Sequence, residues 1–516
     1  MYQRKQVFFI LCILTLTFIG CTNKPENPTQ IVTSIPSPTE FTSPTEFTSP
    51  TELLTPIPTS TVTPTPAELP TPIPTATVTP TPAELLTPIP TATVTPTPAE
   101  LPTPAPIEWT YMSKNNHSNN IVYNLLTDGT NYEAEVAGAF SGNIVIPETV
   151  DGYPVTRIAD FAFEYGFDRI TSVRFPDTLR IIGEGAFSEC WALTEIDLPE
   201  HLEIIEENAF LGCGITSVSL PGSMRKIEYG AFYDAIHLQE VSIAPEASGF
   251  GELVFHNTPW LAKQLETKGY VVHNNTLLAV SPNCTEFTIP ASVTTIAGSA
   301  FHNCDKLTHI EIPASVTAIG PNAFAKCSNL TAITIPETVT EIGDYMFRDC
   351  RSLCSIELPT HMQKIPDGFF WNCGFESYTV PDTVIELGHF VFIDCPKLTT
   401  LKLNDSVRSI GACCFSGCTA LTDVTLSNNL TVLPTDAFSA CSSLEKISLP
   451  ESITSLSSSV FSHCANLQSI TLHDRISSVG EDAFFASDNL TDITVIKDNK
   501  EHKFTVIQDA LDYILP

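Results

Sequence analysis

From Leu307 to Phe324 apolar side chains fall at fixed intervals: Leu307, Ile310 and Ile312, then Val316 and Ile319, then Ala323 and Phe324. Polar His309 and Glu311 alternate with Ile310 and Ile312, so this stretch reads as a short strand with one buried face. Pro313 lacks an amide donor and marks the exit from the sheet. Val316 and Ile319 are expected to turn back into the core. "GPNAF", Gly320 to Phe324, then supplies a turn that ends on a small–large pair. The block starts again at once: Phe301, Phe324 and Phe347 lie 23 residues apart, as do Phe415, Phe438, Phe461 and Phe484. Slips of one residue occur at Phe187, Phe232 and Phe392. Ala precedes the repeated Phe in eight turns, so that slot is tight. Phe255 and Phe301 are two periods apart, with Leu278 expected in the vacant Phe slot. Such a recurrence signals a solenoid with one structural unit per period, and it gives about fifteen turns from Phe163 to Phe484.

A cysteine follows the Phe by three residues at ten positions: 190, 213, 304, 327, 350, 373, 395, 418, 441 and 464. Stacked turns set equivalent residues about 4.7–4.9 Å apart, so these cysteines form a column. That spacing lies within disulfide range. Side chains projecting in parallel do not face one another, however, and the expectation is a buried, reduced column that behaves as small apolar residues. On this reading Cys327→Ser places a hydroxyl where no partner is expected and costs about 1–3 kcal/mol, with Cys327→Ala costing less. Cys414 takes the small Ala slot beside Cys413, while Cys284 and Cys354 fall outside the column, nearer the surface. One cysteine per period, with no C-x-x-C, does not surround a metal ion.

The N-terminal residues follow other rules. Arg4 and Lys5 precede an apolar run, Val7 to Ile19, that ends in "FIGC". Basic, then apolar, then small is the order of a secretory signal, and about 13 apolar residues are too few to span a bilayer comfortably. "FIGC" resembles a bacterial lipobox, with Phe18 where Leu is usual. The resemblance implies lipidation of Cys21 and a lipoprotein signal over residues 1–21; a plain signal peptide cleaved nearby is the alternative. Residues 22–107 are low in complexity, with "TPIPTSTVTPTPAELP" recurring every 16 residues. Frequent proline removes donors and favours polyproline II, so this segment is expected to be a disordered, extended stalk.

Strand, turn and "AFxxC" recurring in phase resemble the leucine-rich repeats of the BspA-like type, found in bacterial surface proteins. The resemblance covers residues 144–495. It implies a right-handed repeat solenoid with one parallel β-sheet face. The segment opening "VYNLLTDGTNYEAEV" is similar to the start of such domains and implies an N-terminal β cap over 108–143. "NTPWLAKQLETKGYVVHNNTLLAV" resembles an insertion of that family, irregular over about 257–285, with a short helix around Leu261 to Thr267. Residues 496–516 read as a C-terminal cap with a helix from Ile507 to Leu515.

Charge and motifs narrow the function. Asp plus Glu number 58 against 25 Lys plus Arg, and the formal charge of −33 argues against a nucleic-acid partner. The sequence has no H-E-x-x-H, G-x-S-x-G, phosphate loop or EF-hand loop, so no catalytic, cofactor-binding or metal-binding residues are assigned and no enzyme is expected. Function is sought on the solvent side of the strand column, since repeat proteins bind partners along extended faces. The candidate residues there are Glu195, Asp197, Glu240, Glu286, His309, Glu311, Glu357, Lys402 and Lys446, acidic early and mostly Ser, Thr and Lys later. The expected partner is a protein or extracellular-matrix ligand at the cell surface, with the membrane engaged through the lipid anchor. A passive envelope spacer and a glycan-capture module are the alternatives. Trp191, Trp260 and Trp371 are the aromatics that would favour glycan.

Overall fold

Each period folds into one turn of a β-solenoid, and about fifteen turns of roughly 23 residues stack. The computed structural model describes residues 121–126, 128–136, 142–164 and 169–515. The signal segment with Cys21, the Pro/Thr-rich stretch and the first part of the expected β cap lie outside the described residues.

Every regular turn carries two strands. The first is the one the alternation predicts: Glu286–Thr288 pairs in parallel with His309–Glu311, with Glu286 against His309 and Thr288 against Glu311. The second is two residues long. Thr295–Ile296, Ala318–Ile319 and Glu341–Ile342 pair in parallel, turn on turn. Two residues show no alternation, so the pattern reveals only their inward member, such as Ile319. Parallel strands 23 residues apart keep identical phases over one another, which is why one sequence block can build one core.

Ala323 and Phe324 sit at the centre of that core, fully buried. The rings stack: Phe301–Phe324 centroids lie 4.9 Å apart with planes 16° from parallel, and Phe324–Phe347 5.6 Å apart at 13°. From Ala186–Phe187 onward a left-handed residue flanks each such pair on either side, as with Asn322 at φ 53° and Lys326 at φ 61°. These two reversals bend the chain around the ring, and Asn, Asp and Gly recur there because they tolerate that conformation. Gly320 answers a different demand. A Cβ built on it would lie 2.4 Å from the backbone nitrogen of Gly298 in the turn before. Adjacent backbones touch there, and only glycine leaves room.

The ten column cysteines are buried and free, and the structure corrects the reading of their slot. The Cys327 thiol donates to the carbonyl oxygen of Phe301 in the preceding turn at 3.2 Å, and Cys350 does the same to Phe324 at 3.1 Å. In the last turn Ser487 stands in the column, and its hydroxyl donates to the Phe461 carbonyl at 2.7 Å. The slot therefore holds an acceptor. A serine at 327 has a partner waiting, and the expected penalty for an unpaired hydroxyl does not apply.

Both ends of the stack are covered. Tyr132–Val136 runs parallel to Tyr153–Ile158 and antiparallel to Ile121–Leu125. Arg157 ties this end together: its buried guanidinium donates to Glu133 (3.1 Å), Asp160 (2.5 Å) and Glu206 (2.9 Å), the last two turns further on. At the other end Lys500–Phe504 returns antiparallel along Asp492–Lys497. The helix after it, Ile507–Ile514, buries Ala510, Leu511 and Ile514.

The stack is interrupted once. Helix α1, Pro259–Lys268, starts where Thr258 accepts the Leu261 amide and stops at left-handed Gly269, φ 80°. Proline at its first turn and glycine just beyond its last are the favoured punctuation. Pairing of the longer strands reaches Glu240–Ile243 and resumes at Glu286–Thr288, and the apolar core divides into two clusters on either side. The vacant Phe slot is filled by Val280, not by Leu278. The Val280 amide donates to Ala300, as Phe301 does to Ala323. Leu277 turns into the core and Leu278, on the opposite side of the strand, is only half-buried. A hairpin, Tyr270–His273 against Thr276–Val280 with a bulge at Val271/Val272, shifts the phase.

Candidate functional site

All nine residues assigned to the strand face are exposed. They form two outward rows, because residues i and i+2 of a strand share a face. Glu195 and Asp197 lie beside Ser172 and Arg174, and Glu240 beside Ser217. Glu286 adjoins His309, with Glu311 two residues along the same strand. Thr334 donates to the Glu357 carboxylate at 3.1 Å. Lys402 stands between Thr379 and Thr425, and Lys446 against Ser469. The stack thus brings Glu286, His309 and Glu311 together. It keeps Lys402 and Lys446 several turns away from them, and the insertion separates Glu240 from Glu286. Short polar side chains over such rows leave backbone and charge open to a long, flat partner.

The three tryptophans have different fates. Trp191 is exposed, with its indole nitrogen donating to Glu189 at 2.6 Å. Trp371 is half-buried under the Arg348 guanidinium, 4.6 Å from the ring centre. Trp260 is buried, edge-on to Phe255 with centroids 4.9 Å apart.

Trp260 belongs to a second feature that the strand pattern does not announce. A cavity of about 430 Å³ opens beside α1. Its walls come from the end of one core block (Phe255), from α1 (Trp260, Leu261, Leu265) and from the start of the next block (Val280, Ala300). Leu278, His256, His302 and Glu266 also line it. Burial, then the charge of Lys326, lowers the His302 imidazole to about 4, and burial lowers His256 as well. His302 Nδ1 is buried without a hydrogen-bond partner. The sequence signal for this cavity is the missing Phe between Phe255 and Phe301 together with a tryptophan in the intervening segment.

Cysteine chemistry concentrates at the same junction. A hydrogen bond from the Cys304 thiol lowers Cys284 to about 7 and raises Cys304. Cys284 is half-buried, and Cys354, in a Thr position of the repeat, is exposed. Among the described residues no group of three or more His, Cys, Asp or Glu is placed to hold a metal ion.

The model of the BspA type leucine rich repeat region matches this chain in six copies, over residues 156–268, 272–399 and 385–509. Among solved structures, a leucine rich cell surface protein from Faecalibacterium prausnitzii is 25% identical and covers 74% of this chain and 95% of its own, with a TM-score of 0.38. A leucine-rich repeat protein from Bacteroides ovatus is 24% identical over 73% of this chain and 94% of its own (TM-score 0.37). The pneumococcal vaccine antigen PcpA is 20% identical over 79% and 97% (TM-score 0.38). A comparison with curated proteins gives no match.

Proposed function

This chain belongs to the BspA-type leucine-rich repeat family, and from that premise we propose that it is a surface-displayed protein that binds a protein or matrix partner along its strand face. The observation that carries the reading is the pair of exposed polar rows, of which all nine assigned residues are part. Their side chains contribute nothing to the core, so selection on folding alone does not require an acidic stretch at one end and hydroxyls with lysines at the other. Contacts spread over many turns suit a multivalent partner, since each added site acts at high effective concentration. In the same proposal Cys21 carries the lipid anchor, residues 22–107 act as a spacer and the repeats face outward. No catalysis is involved.

The test is capture by immobilised mature protein from a panel of purified matrix proteins and epithelial surface extracts. Glu286→Lys, Glu311→Lys and Glu357→Lys combined should abolish capture of an authentic partner. The same number of reversals at exposed acids off the face, Glu246, Glu266 and Asp305, should not. Equal effects of the two sets would sink the strand-face assignment. A Cys21→Ala variant that fractionates with membranes as fully as wild type would remove the anchor.

A further inference from the structure

In fourteen turns the slot at the centre holds a phenylalanine whose ring lies 4.9–6.3 Å from that of a neighbouring turn. The slot between Phe255 and Phe301 holds Val280. Neither neighbouring ring is left bare. Trp260 meets Phe255 edge-on and Phe287 meets Phe301 edge-on at 5.6 Å. Valine is smaller than a phenylalanine, though, and it is at this break that the cavity opens, with Phe255, Trp260, Val280 and Ala300 among its walls. The cavity opens to the surface, where exposed Asn257, Ala262, Glu266, Asn283 and Asn303 line it, and its apolar inner wall stays against water until a ligand covers it.

We propose that this cavity binds a small, neutral, aromatic molecule, whose ring replaces the missing phenylalanine of the stack. Size and shape fit: about 430 Å³ lies within the range of small-molecule sites, and aromatic walls at Phe255 and Trp260 favour stacked or edge-on ring contacts. Charge fits too. No Lys, Arg or Asp lines the cavity. Its two histidines are held neutral by burial, and its one carboxylate, Glu266, is exposed at the rim. An ion entering the apolar interior would lose its hydration without a partner. The site does not depend on the strand face, and each can fail alone.

Calorimetric titration of the mature protein with indole and with 2-naphthol tests it. Saturable one-to-one binding is expected, tighter for the larger 2-naphthol and at least tenfold weaker for its charged 6-sulfonate. Val280→Phe, which puts the ring back, should weaken binding at least tenfold. Ala262→Tyr gives a second arm, because Ala262 is exposed and narrows the mouth without touching the core; it too should weaken binding. No saturable binding by the wild type, or unchanged affinity in a folded Val280→Phe or Ala262→Tyr protein, overturns the proposal. N-acetyltryptophanamide binding ten times more tightly than indole would make the occupant a partner's side chain, and the small-molecule assignment would then be wrong.

Discussion

Replacing Cys327 by serine and by alanine separates two accounts of the cysteine column. If the slot is merely small and apolar, alanine is the milder change. The geometry says the reverse. Cys327 is fully buried, and its thiol donates to Phe301 O at 3.2 Å. That oxygen also accepts the Cys304 amide at 3.0 Å, so it is not orphaned when the thiol goes. Alanine then loses the burial of a sulfur, close to one methylene or about 0.8 kcal/mol. It also loses a weak hydrogen bond, about 0.5 kcal/mol, and leaves a small cavity worth a few tenths. The expected cost is about 1–2 kcal/mol. Serine forfeits the same apolar transfer but keeps the bond, and the 2.7 Å contact of Ser487 shows that a hydroxyl in this slot reaches its acceptor. Its net cost is expected at about 0–1 kcal/mol. The assay is urea unfolding followed by circular dichroism, with slopes compared before midpoints are converted, because stacked repeats need not unfold in one step. A serine variant less stable than the alanine variant would show that the carbonyl is no working acceptor, and the reasoning would fail.

Three further outcomes are expected. Native alkylation at pH 7.5, mapped by mass spectrometry, should label Cys284 and exposed Cys354 first; the column should react only after unfolding, since burial raises thiols such as Cys327. Because His302 titrates near 4 when folded but near 6.5 when unfolded, its contribution is complete above about 6.5 and is lost as pH falls toward 4, with Lys326, His256 and Arg348 opposing its charge and Asp349 favouring it; His302→Gln should flatten that part of a stability–pH profile. Arg157→Met should destabilise the N-terminal end by about 3–5 kcal/mol, because it removes the buried guanidinium that Glu133, Asp160 and Glu206 share, and hydrogen exchange should accelerate there before it does beyond the insertion.

What the sequence disclosed depended on how much of each signal repeats. The longer strands were legible because Ile310 and Ile312 alternate with exposed residues, and the core because Phe324 returns every 23 residues. The insertion's sequence predicts a helix around Leu261 to Thr267, and the helix runs Pro259–Lys268, set by the Thr258–Pro259 start and the Gly269 stop. The second strand of each turn was missed because two residues carry no period. The vacant slot was given to Leu278 because even spacing was assumed, whereas the bulged hairpin moves the register by two and delivers Val280. The acceptor in the cysteine slot was hidden because it is a backbone atom of another turn; the one visible hint was Ser487 standing in a cysteine's place. The strand-face residues were found as outward positions, but which of them matter is a property of a partner and not of the repeat.

The interruption near α1 also has a mechanical meaning. Within each half, adjacent turns are joined by recurring backbone hydrogen bonds and a continuous file of rings. Across the break the joints are largely individual contacts: Asn274 to Ala247 O at 3.0 Å, His273 to the same oxygen at 3.0 Å, and Glu252 to Ser299 at 2.8 Å and to Asn322 at 2.9 Å. A tether pulled from its ends loads every joint in series, so the weakest yields first. The molecule therefore contains its own shear pin. Under tension the two halves are set to part at the insertion while the turns within each half stay folded, and the length released there would absorb a tug before any turn unravels.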